Sequence, residues 1–339
     1  MLRLPPLSFR QPGSLAEALA IVNGEGSDAR LVAGGTDLLP NMKRRHQQAS
    51  TLVSLMGVPG LSGVVDGNGS GVRIGATTTL SAVSDHAAVR ARYPALARAV
   101  ESISSPPLRN MGTLGGNLCV DTRCTYYNQT EEWRRSIDYC MKEQGKTCWV
   151  ATSSPRCWAH SASDAAPMLC ALGAAVRLAS KDGEREAPLS ALYRDDGIDY
   201  LTKRADEVLI DVSVPAESDA AHCRTAFWKL RRRGSIDFAV LSVAAAVWLD
   251  PAGVVARASI WLGAVGSSPR EAAPAAASLV GSSLDADTIT RAAELAKKTA
   301  TPMDNTDFQT QWRKAVAGRY VEAALSECAG LPVARLPRH

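Results

Sequence analysis

The chain has 339 residues, of which 46% are hydrophobic and 21% are charged, and its formal net charge is +4. A chain of this length can bury a large core and usually divides into two or three domains. The small, dispersed positive charge gives no reason to expect a nucleic-acid partner. The N-terminal segment lacks the apolar core of a secretion signal, and no apolar run reaches the about 18–20 residues that span a bilayer. We therefore expect a cytoplasmic protein that binds neither nucleic acid nor membranes.

A capped helix and a buried strand are the first predicted elements. Ser14 and Glu17 form a capping box for a helix that continues through Val22. Residues 29–33 have the pattern of a short buried strand, which ends in Gly34-Gly35-Thr36-Asp37. Two glycines after a strand allow close backbone approach and an anion-binding nest, although most such pairs are structural turns.

Two strands and an interrupted helix follow. The strands are predicted over residues 51–55 and 71–79, and a helical pattern extends from Leu80 to Ile103. Pro94 interrupts that pattern, so we expect two helices, the second of which ends at Ser105-Pro106-Pro107.

A second glycine-rich loop spans residues 112–117 and reads Gly-Thr-Leu-Gly-Gly-Asn. Its glycines expose the backbone, and Thr113 and Asn117 add side-chain hydrogen-bonding groups. Neither this loop nor residues 34–37 match the dinucleotide fingerprint or a Walker loop. The occurrence of two such loops is what indicates a ligand site.

Cysteines are concentrated in the middle of the chain. Six of the 8 lie between residues 119 and 170, and four of these form a run C-x15-C-x7-C-x8-C: Cys124, Cys140, Cys148 and Cys157. Four thiolates can hold an iron–sulfur cluster, a tetrahedral zinc ion or two disulfides. The run lacks the short knuckles of structural zinc sites, and the Tyr and Trp residues around it favour a cluster. Ordinary buried thiols remain the alternative, and Cys119 could compete as a ligand.

The last part of the chain is predicted as strands followed by helices, which is typical of an α+β domain. Lys181-Asp182-Gly183 mark a hairpin after a strand over residues 174–179, and the small, acidic segment 216–221 is predicted to link two domains. The further predicted strands are 207–215, 224–230, 240–249 and 254–265, and the predicted helices are 271–280, 286–299 and 309–326.

The two glycine-rich loops, Leu31–Leu38 and Arg109–Asn117, resemble those of the flavin-binding subunits of the molybdenum hydroxylase (xanthine dehydrogenase) family. The cysteine run between Asn117 and Ser163-Asp164 is similar to that of the [4Fe–4S]-bearing flavin subunit of 4-hydroxybenzoyl-CoA reductase. The motif Cys-x-Asp-Thr-Arg-Cys-Thr-x-Tyr-Asn-Gln, which starts at Cys119, carries this narrower resemblance.

The resemblance implies an α+β fold. A two-lobed FAD-binding domain would occupy residues 1–218, with lobes of about 1–57 and 58–218 and an iron–sulfur insertion at 118–162. A smaller α+β domain would occupy residues 219–339.

The resemblance also implies a set of cofactor-binding residues. The diphosphate and ribityl chain would lie against the first loop: Arg30, Leu31, Val32, Ala33, Gly34, Gly35, Thr36, Asp37 and Leu38. The second loop would complete the clamp: Gly112, Thr113, Gly115, Gly116 and Asn117. The remaining contacts to FAD would come from Ile103, Ser104, Leu108, Ser163, Asp164, Leu209 and Lys229. The cluster ligands would be Cys124, Cys140, Cys148 and Cys157, with Cys119 at the flavin edge and Cys170, Cys223 and Cys328 as buried apolar thiols.

The implied function is electron transfer, in which the chemistry belongs to the cofactors and no catalytic side chain is expected. The implied partners are a molybdopterin-bearing large subunit, a small subunit with two [2Fe–2S] clusters and a ferredoxin-like carrier, assembled as a dimer of heterotrimers. The implied reaction is reductive dehydroxylation of 4-hydroxybenzoyl-CoA. One alternative is the flavin subunit of an aldehyde or N-heterocycle hydroxylase, with outward electron flow. Another is a non-catalytic scaffold whose cysteines hold zinc.

Two further expectations concern charged and titratable side chains. The mixed charges of the cysteine insertion are expected to form a docking face for a small redox protein: Arg134, Arg135, Lys142 and Lys146 with Glu131, Glu132 and Glu143. The five histidines lie in no metal-binding spacing; four are expected at the surface, and His160 is a candidate donor beside the cluster.

Overall fold

The first lobe is a parallel three-stranded sheet with two helices. The computed structural model describes residues 2–67, 69–218 and 220–337; Asp219, the predicted start of the C-terminal domain, and His339 lie outside them. The elements of the lobe are β1 Ser8–Arg10, α1 Leu15–Glu25, β2 Ala29–Val32, α2 Leu38–Lys43 and β3 Thr51–Ser54. The strands pair in the order β1-β3-β2.

Helix α1 begins where the sequence predicts. Ser14 Oγ accepts a hydrogen bond from the Glu17 amide at 3.1 Å. The Glu17 carboxylate reaches one residue further back than a capping box requires and accepts from the Gly13 amide at 2.7 Å. Leu19 on the apolar side of α1 packs in one cluster with Val53 of β3. The helix is thereby fixed against the sheet, and β2 leads directly into Gly34-Gly35.

The second lobe is built on a five-stranded antiparallel sheet. Its strands are β4 Val64–Asp66, β5 Val72–Gly75, β6 Ala175–Ser180, β7 Gly183–Pro188 and β8 Val208–Val214. They pair in the order β4-β5-β8-β6-β7, and the predicted hairpin is confirmed because Ser180 pairs with Gly183. Its helices are α3 Leu80–Asp85, α4 Ala87–Arg92, α5 Pro94–Glu101, α6 Pro106–Arg109, α7 Leu114–Leu118, α8 Glu131–Ser136 and α9 Ala165–Ala171.

The prediction of two helices over residues 80–103 is wrong, because the segment forms three: α3, α4 and α5. His86 has an extended backbone, with φ −65° and ψ 126°, and separates α3 from α4. Tyr93 separates α4 from α5, since the residue before a proline is disfavoured in the helical region. Ser105 does not end α5, which stops at Glu101; Ser105 precedes α6, which has proline in its first turn.

The C-terminal domain is a four-stranded antiparallel sheet with three helices. Its elements are β9 Arg224–Leu230, β10 Leu241–Leu249, β11 Val255–Gly263, β12 Arg270–Glu271, α10 Ala273–Ala277, α11 Ala286–Thr299 and α12 Thr310–Ala329. Helix α12 packs along β9 and β10, while α9 of the second lobe packs against β10 and β11. This sheet therefore lies between helices of both domains. None of the helices in the described part of the chain is both long and apolar enough to cross a membrane.

Arg313 is a fully buried cation in the C-terminal domain, with 0% of its surface exposed. Its guanidinium donates to the carbonyl oxygens of Val240, Ala264 and Met303 at 2.7–3.1 Å. Burial lowers the pKa of Arg313 to about 10, so the side chain stays charged at neutral pH. It joins α12 to the residue that precedes β10, to the residue that follows β11 and to the loop that precedes α12.

We expect Arg313→Met to lower the free energy of unfolding by about 2–4 kcal/mol, because three buried carbonyls lose their donor. The measurement is urea unfolding of the full chain. Arg319→Met, at an exposed position of the same helix, is the control and should change stability by less than about 0.5 kcal/mol. Equal stability of the two variants would contradict the role given to Arg313.

Candidate functional site

Two glycine-rich loops from different lobes meet backbone to backbone. A Cβ on Gly34 would lie 1.8 Å from the carbonyl oxygen of Met111 and 3.0 Å from the amide nitrogen of Gly112. Only glycine allows this approach. Gly35 has φ +68°, a left-handed conformation that costs other residues energy, and its carbonyl accepts from the Leu39 amide at 3.1 Å. The first loop is thus fixed between β2 and α2, against the second loop.

The second loop is pinned to the end of β5. The Gly115 amide donates to the carbonyl of Ala76 at 2.8 Å, and a Cβ on Gly115 would lie 2.7 Å from the Ala76 Cβ. Thr113 Oγ1 caps α7 by accepting from the Gly116 amide at 3.1 Å. The position of this loop is therefore set by the sheet of the second lobe.

The two loops line a cavity of about 690 Å³. This volume is typical of sites for cofactors and other small molecules. Most of the residues that the resemblance assigned to FAD lie on its wall: Arg30, Leu31, Val32, Ala33, Gly34, Gly35, Thr36, Asp37, Leu38, Ile103, Ser104, Leu108, Gly112, Thr113, Gly115, Gly116, Asn117 and Leu209.

Three of the assigned residues, Ser163, Asp164 and Lys229, lie behind the wall instead of on it. Lys229 Nζ forms a buried ion pair with Asp164 Oδ2 at 2.7 Å and donates to two backbone carbonyls. Ser163 Oγ donates to Asn117 Oδ1 at 2.8 Å. Burial raises the pKa of Asp164, and the Lys229 ammonium opposes that rise. Ser163 thus holds the second loop from behind, and Lys229 is paired with Asp164 and does not line the cavity.

Sequence reasoning missed a third segment of the cavity wall, residues 198–205, together with Gln47, Asp121 and Phe238. The segment precedes β8 and carries Tyr200. No motif marks it. The single signal in the sequence is a loop that combines an aromatic residue with basic ones just before a strand.

The four cysteines of the run come together beside the cavity. All four are buried and none forms a disulfide. Cys124, Cys140 and Cys157 pack in one apolar cluster with Tyr127, and Cys148 lies beside Cys157. The other cysteines lie elsewhere: Cys119 lines the cavity, and the burial predicted for Cys170, Cys223 and Cys328 is confirmed.

The Ala159 amide donates to Cys157 Sγ at 3.4 Å. Nearby backbone amides also favour the thiolate form at Cys124, Cys140 and Cys148. Such donors stabilise the thiolate, which is the form that ligates metal. Burial nevertheless raises the pKa of Cys124 to about 12, so ionisation of this thiol needs a cationic partner.

Among the residues that the structure describes, no group of three or more His, Cys, Asp or Glu side chains is placed to hold a metal ion. A zinc site needs its thiolates about 2.3 Å from one ion. An iron–sulfur cluster joins sulfurs that lie further apart, because its own iron and sulfide atoms fill the space between them. Either group would therefore need the four thiols to be drawn around one centre when it binds.

One peptide segment separates the cysteines from the cavity. A Cβ on Gly197 would lie 2.6 Å from Cys157 Sγ, and the next residue, Ile198, lines the cavity. On the same wall Asp121 lines the cavity, and Cys124 follows it closely in the sequence. The cavity and the space between the four cysteines are the two pockets of the site, and they thus share a wall.

Arg123 ties this wall to the first glycine-rich loop. Its guanidinium is paired with the carboxylate of Asp37 and donates to Asn41 Oδ1 at 3.3 Å. It also lies over the ring of Phe238, 4.6 Å from the centroid. Burial lowers the pKa of Arg123 to about 10, which leaves it charged at neutral pH.

The C-terminal domain closes the base of the cysteine insertion through Asn305, which is 2% exposed. Its carbonyl oxygen accepts from the Thr125 amide at 2.9 Å, and its Nδ2 donates to the carbonyl of Trp158 at 2.5 Å. Thr125 and Trp158 each follow a cysteine of the run. One residue of another domain therefore joins the two ends of the insertion.

The prediction that the charges of the insertion form a docking face is wrong for Arg134, Lys142 and Glu143, whose side chains are at most 10% exposed. Arg134 has a side chain 1% exposed and pairs with Glu143 at 2.6 Å and with Glu131 at 2.6 Å. The Lys142 side chain is 5% exposed. These charges neutralise one another inside the insertion, since a buried charge needs a partner. Arg135 stays exposed beside Trp133.

The expected surface position of His46 is also wrong. Its ring is buried and lies 4.7 Å from the ring of Tyr127, and burial lowers the pKa of His46 to about 4. His160 is buried as well, with Nδ1 placed 2.9 Å from the carbonyl of Ser161. That nitrogen is directed at backbone and not at a sulfur.

Two family models match the chain. The FAD binding domain in molybdopterin dehydrogenase matches residues 5–217, and the CO dehydrogenase flavoprotein C-terminal domain matches residues 225–328. The first covers the two lobes and the cysteine insertion, and the second covers the sheet and helices that follow.

Individual relatives are similar over most of their length. The carbon monoxide dehydrogenase medium chain of Hydrogenophaga pseudoflava is 26% identical over 95% of this chain and 96% of its own length. The nicotinate dehydrogenase FAD-subunit of Eubacterium barkeri is 28% identical, covering 83% of this chain and 82% of its own. The aldehyde oxidoreductase FAD-binding subunit PaoB of Escherichia coli is 32% identical, covering 68% of this chain and 74% of its own.

Solved structures confirm the α+β fold. Carbon monoxide dehydrogenase from Hydrogenophaga pseudoflava contains a chain that superposes with a TM-score of 0.78 and 27% identity, covering 97% of this chain and 99% of that chain. Quinoline 2-oxidoreductase from Pseudomonas putida 86 gives a TM-score of 0.75 and 25% identity, with coverages of 97% and 98%. The chain therefore belongs to the FAD-binding family of the molybdopterin dehydrogenases, the flavin subunits of molybdenum hydroxylase-type oxidoreductases.

Proposed function

We propose that this chain is an electron-transfer subunit that holds FAD in the cavity and a [4Fe–4S] cluster between the four cysteines of the run. The observation that carries the proposal is the shared wall: Gly197 lies against Cys157, and Ile198 lines the cavity. A cluster and a flavin in these two pockets would be separated by little more than one peptide segment. FAD supplies one- and two-electron chemistry, and a [4Fe–4S] cluster supplies one-electron transfer.

The chain's own residues bind and orient the flavin in this proposal. Bare backbone at Gly34 and Gly116 lets a diphosphate approach, and Arg30 and Lys203 bring positive charge to the same cavity. Asn117 is held in place by Ser163 from behind. Apolar side chains on the wall would exclude water from the flavin ring: Ile103, Leu108 and Leu209.

The proposed cluster site is supported by its donor set. The four thiols are buried and none is in a disulfide, the Ala159 amide donates to Cys157 Sγ, and Tyr127 and Ala159 pack around three of the thiols. Hydrogen bonds to sulfur and an apolar surround are the features by which proteins hold and tune iron–sulfur clusters. Asn305, which joins Thr125 to Trp158, would hold the first and last proposed ligands, Cys124 and Cys157, in fixed positions relative to each other.

The proposed partners are a molybdopterin-bearing large subunit and a small subunit with two [2Fe–2S] clusters, in a dimer of heterotrimers. Relatives named as a medium chain and as an FAD-subunit support the view that this chain works as part of a larger assembly. In that assembly the flavin would exchange electrons with the [2Fe–2S] clusters, and the substrate would react at the molybdenum centre.

Two reactions are proposed for the assembly. Reductive dehydroxylation of 4-hydroxybenzoyl-CoA, driven by a ferredoxin-like carrier, is supported by the cysteine run and its resemblance. Oxidation of an aldehyde or an N-heterocycle, with electrons leaving through the flavin, is supported by relatives named aldehyde oxidoreductase and nicotinate dehydrogenase. The two differ in the direction of electron flow and can be separated by experiment.

The contact at Gly34 predicts that this residue is needed for FAD binding. In Gly34→Ala the added methyl would lie 1.8 Å from Met111 O, so the two loops must separate, and we expect at least about tenfold weaker FAD binding, a loss of about 1.4 kcal/mol. Flavin content and a titration with FAD measure it. Gly24→Ala, where a Cβ meets nothing within 4 Å, is the control. Wild-type affinity in Gly34→Ala would argue against the two-loop clamp.

The cysteine run predicts separable cofactor losses. Wild type should hold about four iron atoms and four sulfides per chain, and Cys140→Ser should lose most of both while keeping FAD, because one of four thiolates is removed. Iron, sulfide and flavin analysis measure this. Cys170→Ala, a buried thiol outside the run, should keep its iron. Zinc in the wild type, or undiminished iron in Cys140→Ser, would refute the cluster assignment.

The direction of electron flow predicts a donor-dependent effect. If electrons enter through the cluster, Cys148→Ser should abolish flavin reduction by reduced ferredoxin but leave reduction by dithionite, which is small enough to reach FAD directly. Stopped-flow bleaching of the flavin with each donor measures both rates. Ferredoxin-driven bleaching that survives loss of the cluster would favour the oxidative reaction, with electrons leaving from the flavin.

A further inference from the structure

The shared wall contains a buried ammonium group. The Lys142 side chain is 5% exposed, and its Nζ donates to Asp121 Oδ1 at 2.7 Å, to Thr122 Oγ1 at 2.8 Å and to the carbonyl of Gly197 at 2.5 Å. An ammonium has three donors, so all of its hydrogen-bonding capacity is used. Asp121 is itself only 7% exposed. The ion pair is therefore enclosed in protein.

Lys142 faces both pockets. On the cavity side its ammonium lies 5.5 Å from the ring centroid of Tyr200, which lines the cavity, as does its partner Asp121. On the cysteine side it lies 5.1 Å from the ring of Tyr127, which packs with three of the four thiols.

Stability alone does not account for this placement. A buried ion pair can often be replaced by apolar side chains of similar volume without loss of stability, because the cost of desolvating two charges offsets their attraction. The wall has apolar residues available on both sides, such as Ile198 and Ala159. A fixed charge between two pockets changes the electrostatic potential at any group that is bound in either of them.

We propose that Lys142 is a positioning residue whose fixed positive charge raises the reduction potentials of both the cluster and the flavin. The inference rests on the proposed function, since it needs a redox centre in each pocket. Reduction adds negative charge to a centre, and a nearby cation in a poorly solvated site favours the reduced form. Asp121 offsets part of that effect and fixes the ammonium in the wall. The same residue would therefore raise both potentials together.

The test is a redox titration of the full chain, assembled with its partner subunits, followed by electron paramagnetic resonance for the cluster and by visible absorbance for the flavin. In Lys142→Met both midpoint potentials should shift to lower values, because the charge is lost while most of the unbranched side chain is kept. Lys142→Arg keeps the charge and should restore both potentials towards wild type. Lys146→Met, an exposed lysine of the same insertion, should leave both unchanged.

A double variant separates charge from structure. Lys142→Met leaves Asp121 buried and unpaired, whereas Lys142→Met with Asp121→Asn removes both charges and should return the potentials part of the way towards wild type. Unchanged midpoint potentials in Lys142→Met, or equal shifts in Lys142→Met and Lys142→Arg, would overturn the proposal. A purely structural role would lower the melting temperature of Lys142→Met without moving either potential.

Failure of the proposed function gives a different result. If the wild-type protein contains no iron, the cluster assignment fails, and the flavin titration still tests Lys142. A flavin potential that stays the same in Lys142→Met would then overturn the inference on its own. If the variant loses its iron while wild type keeps it, the flavin potential is again the deciding measurement, with the iron-free Cys140→Ser protein as its reference.

Discussion

The contact between the carbonyl of Met111 and the backbone of Gly34 is the constraint on which the rest of the site depends. It brings an edge of the parallel sheet of the first lobe against a loop held by the antiparallel sheet of the second. The cavity wall is drawn from both lobes and from Phe238 of the C-terminal domain. Because the contact is made by backbone atoms at a glycine, its geometry does not vary with side-chain rotamers. The loops are therefore preorganised for a ligand whose main contacts are with main-chain groups.

Ion pairs inside the protein also fix the structure around the site. Arg123 pairs with Asp37, Lys142 with Asp121, and Arg134 with Glu143. Each pair joins segments that are distant in sequence or that belong to the cysteine insertion. The insertion contains little regular structure apart from α8, so these pairs take the place of a sheet or a helical core in fixing it.

Local sequence patterns were sufficient to identify the parts of the structure that are formed by residues close together in the chain. The glycine-rich loops lie on one cavity, the cysteines of the run are gathered beside it, and α11 begins and ends where its pattern indicates. Sequence patterns gave wrong predictions where the position of a side chain depends on a residue it pairs with only in the folded protein. Arg134 has the sequence context of a surface charge, but in the fold it pairs with Glu143. Lys229 pairs with Asp164 and therefore does not line the cavity. Residues 198–205 carry no motif at all, and only the tertiary fold brings them to the wall.

Asn305 makes the insertion a module with fixed ends. Its backbone and side chain join Thr125 to Trp158, so the chain between them is a closed loop whose two anchor points are set by the C-terminal domain. The entropy of closing such a loop grows only with the logarithm of its length. Additions or deletions in the exposed turns between the anchors would therefore cost little stability and would leave the flavin cavity undisturbed. In sequence the insertion belongs to the first domain, but its two ends are joined by a residue of the C-terminal domain, so the placement of the insertion depends on both domains.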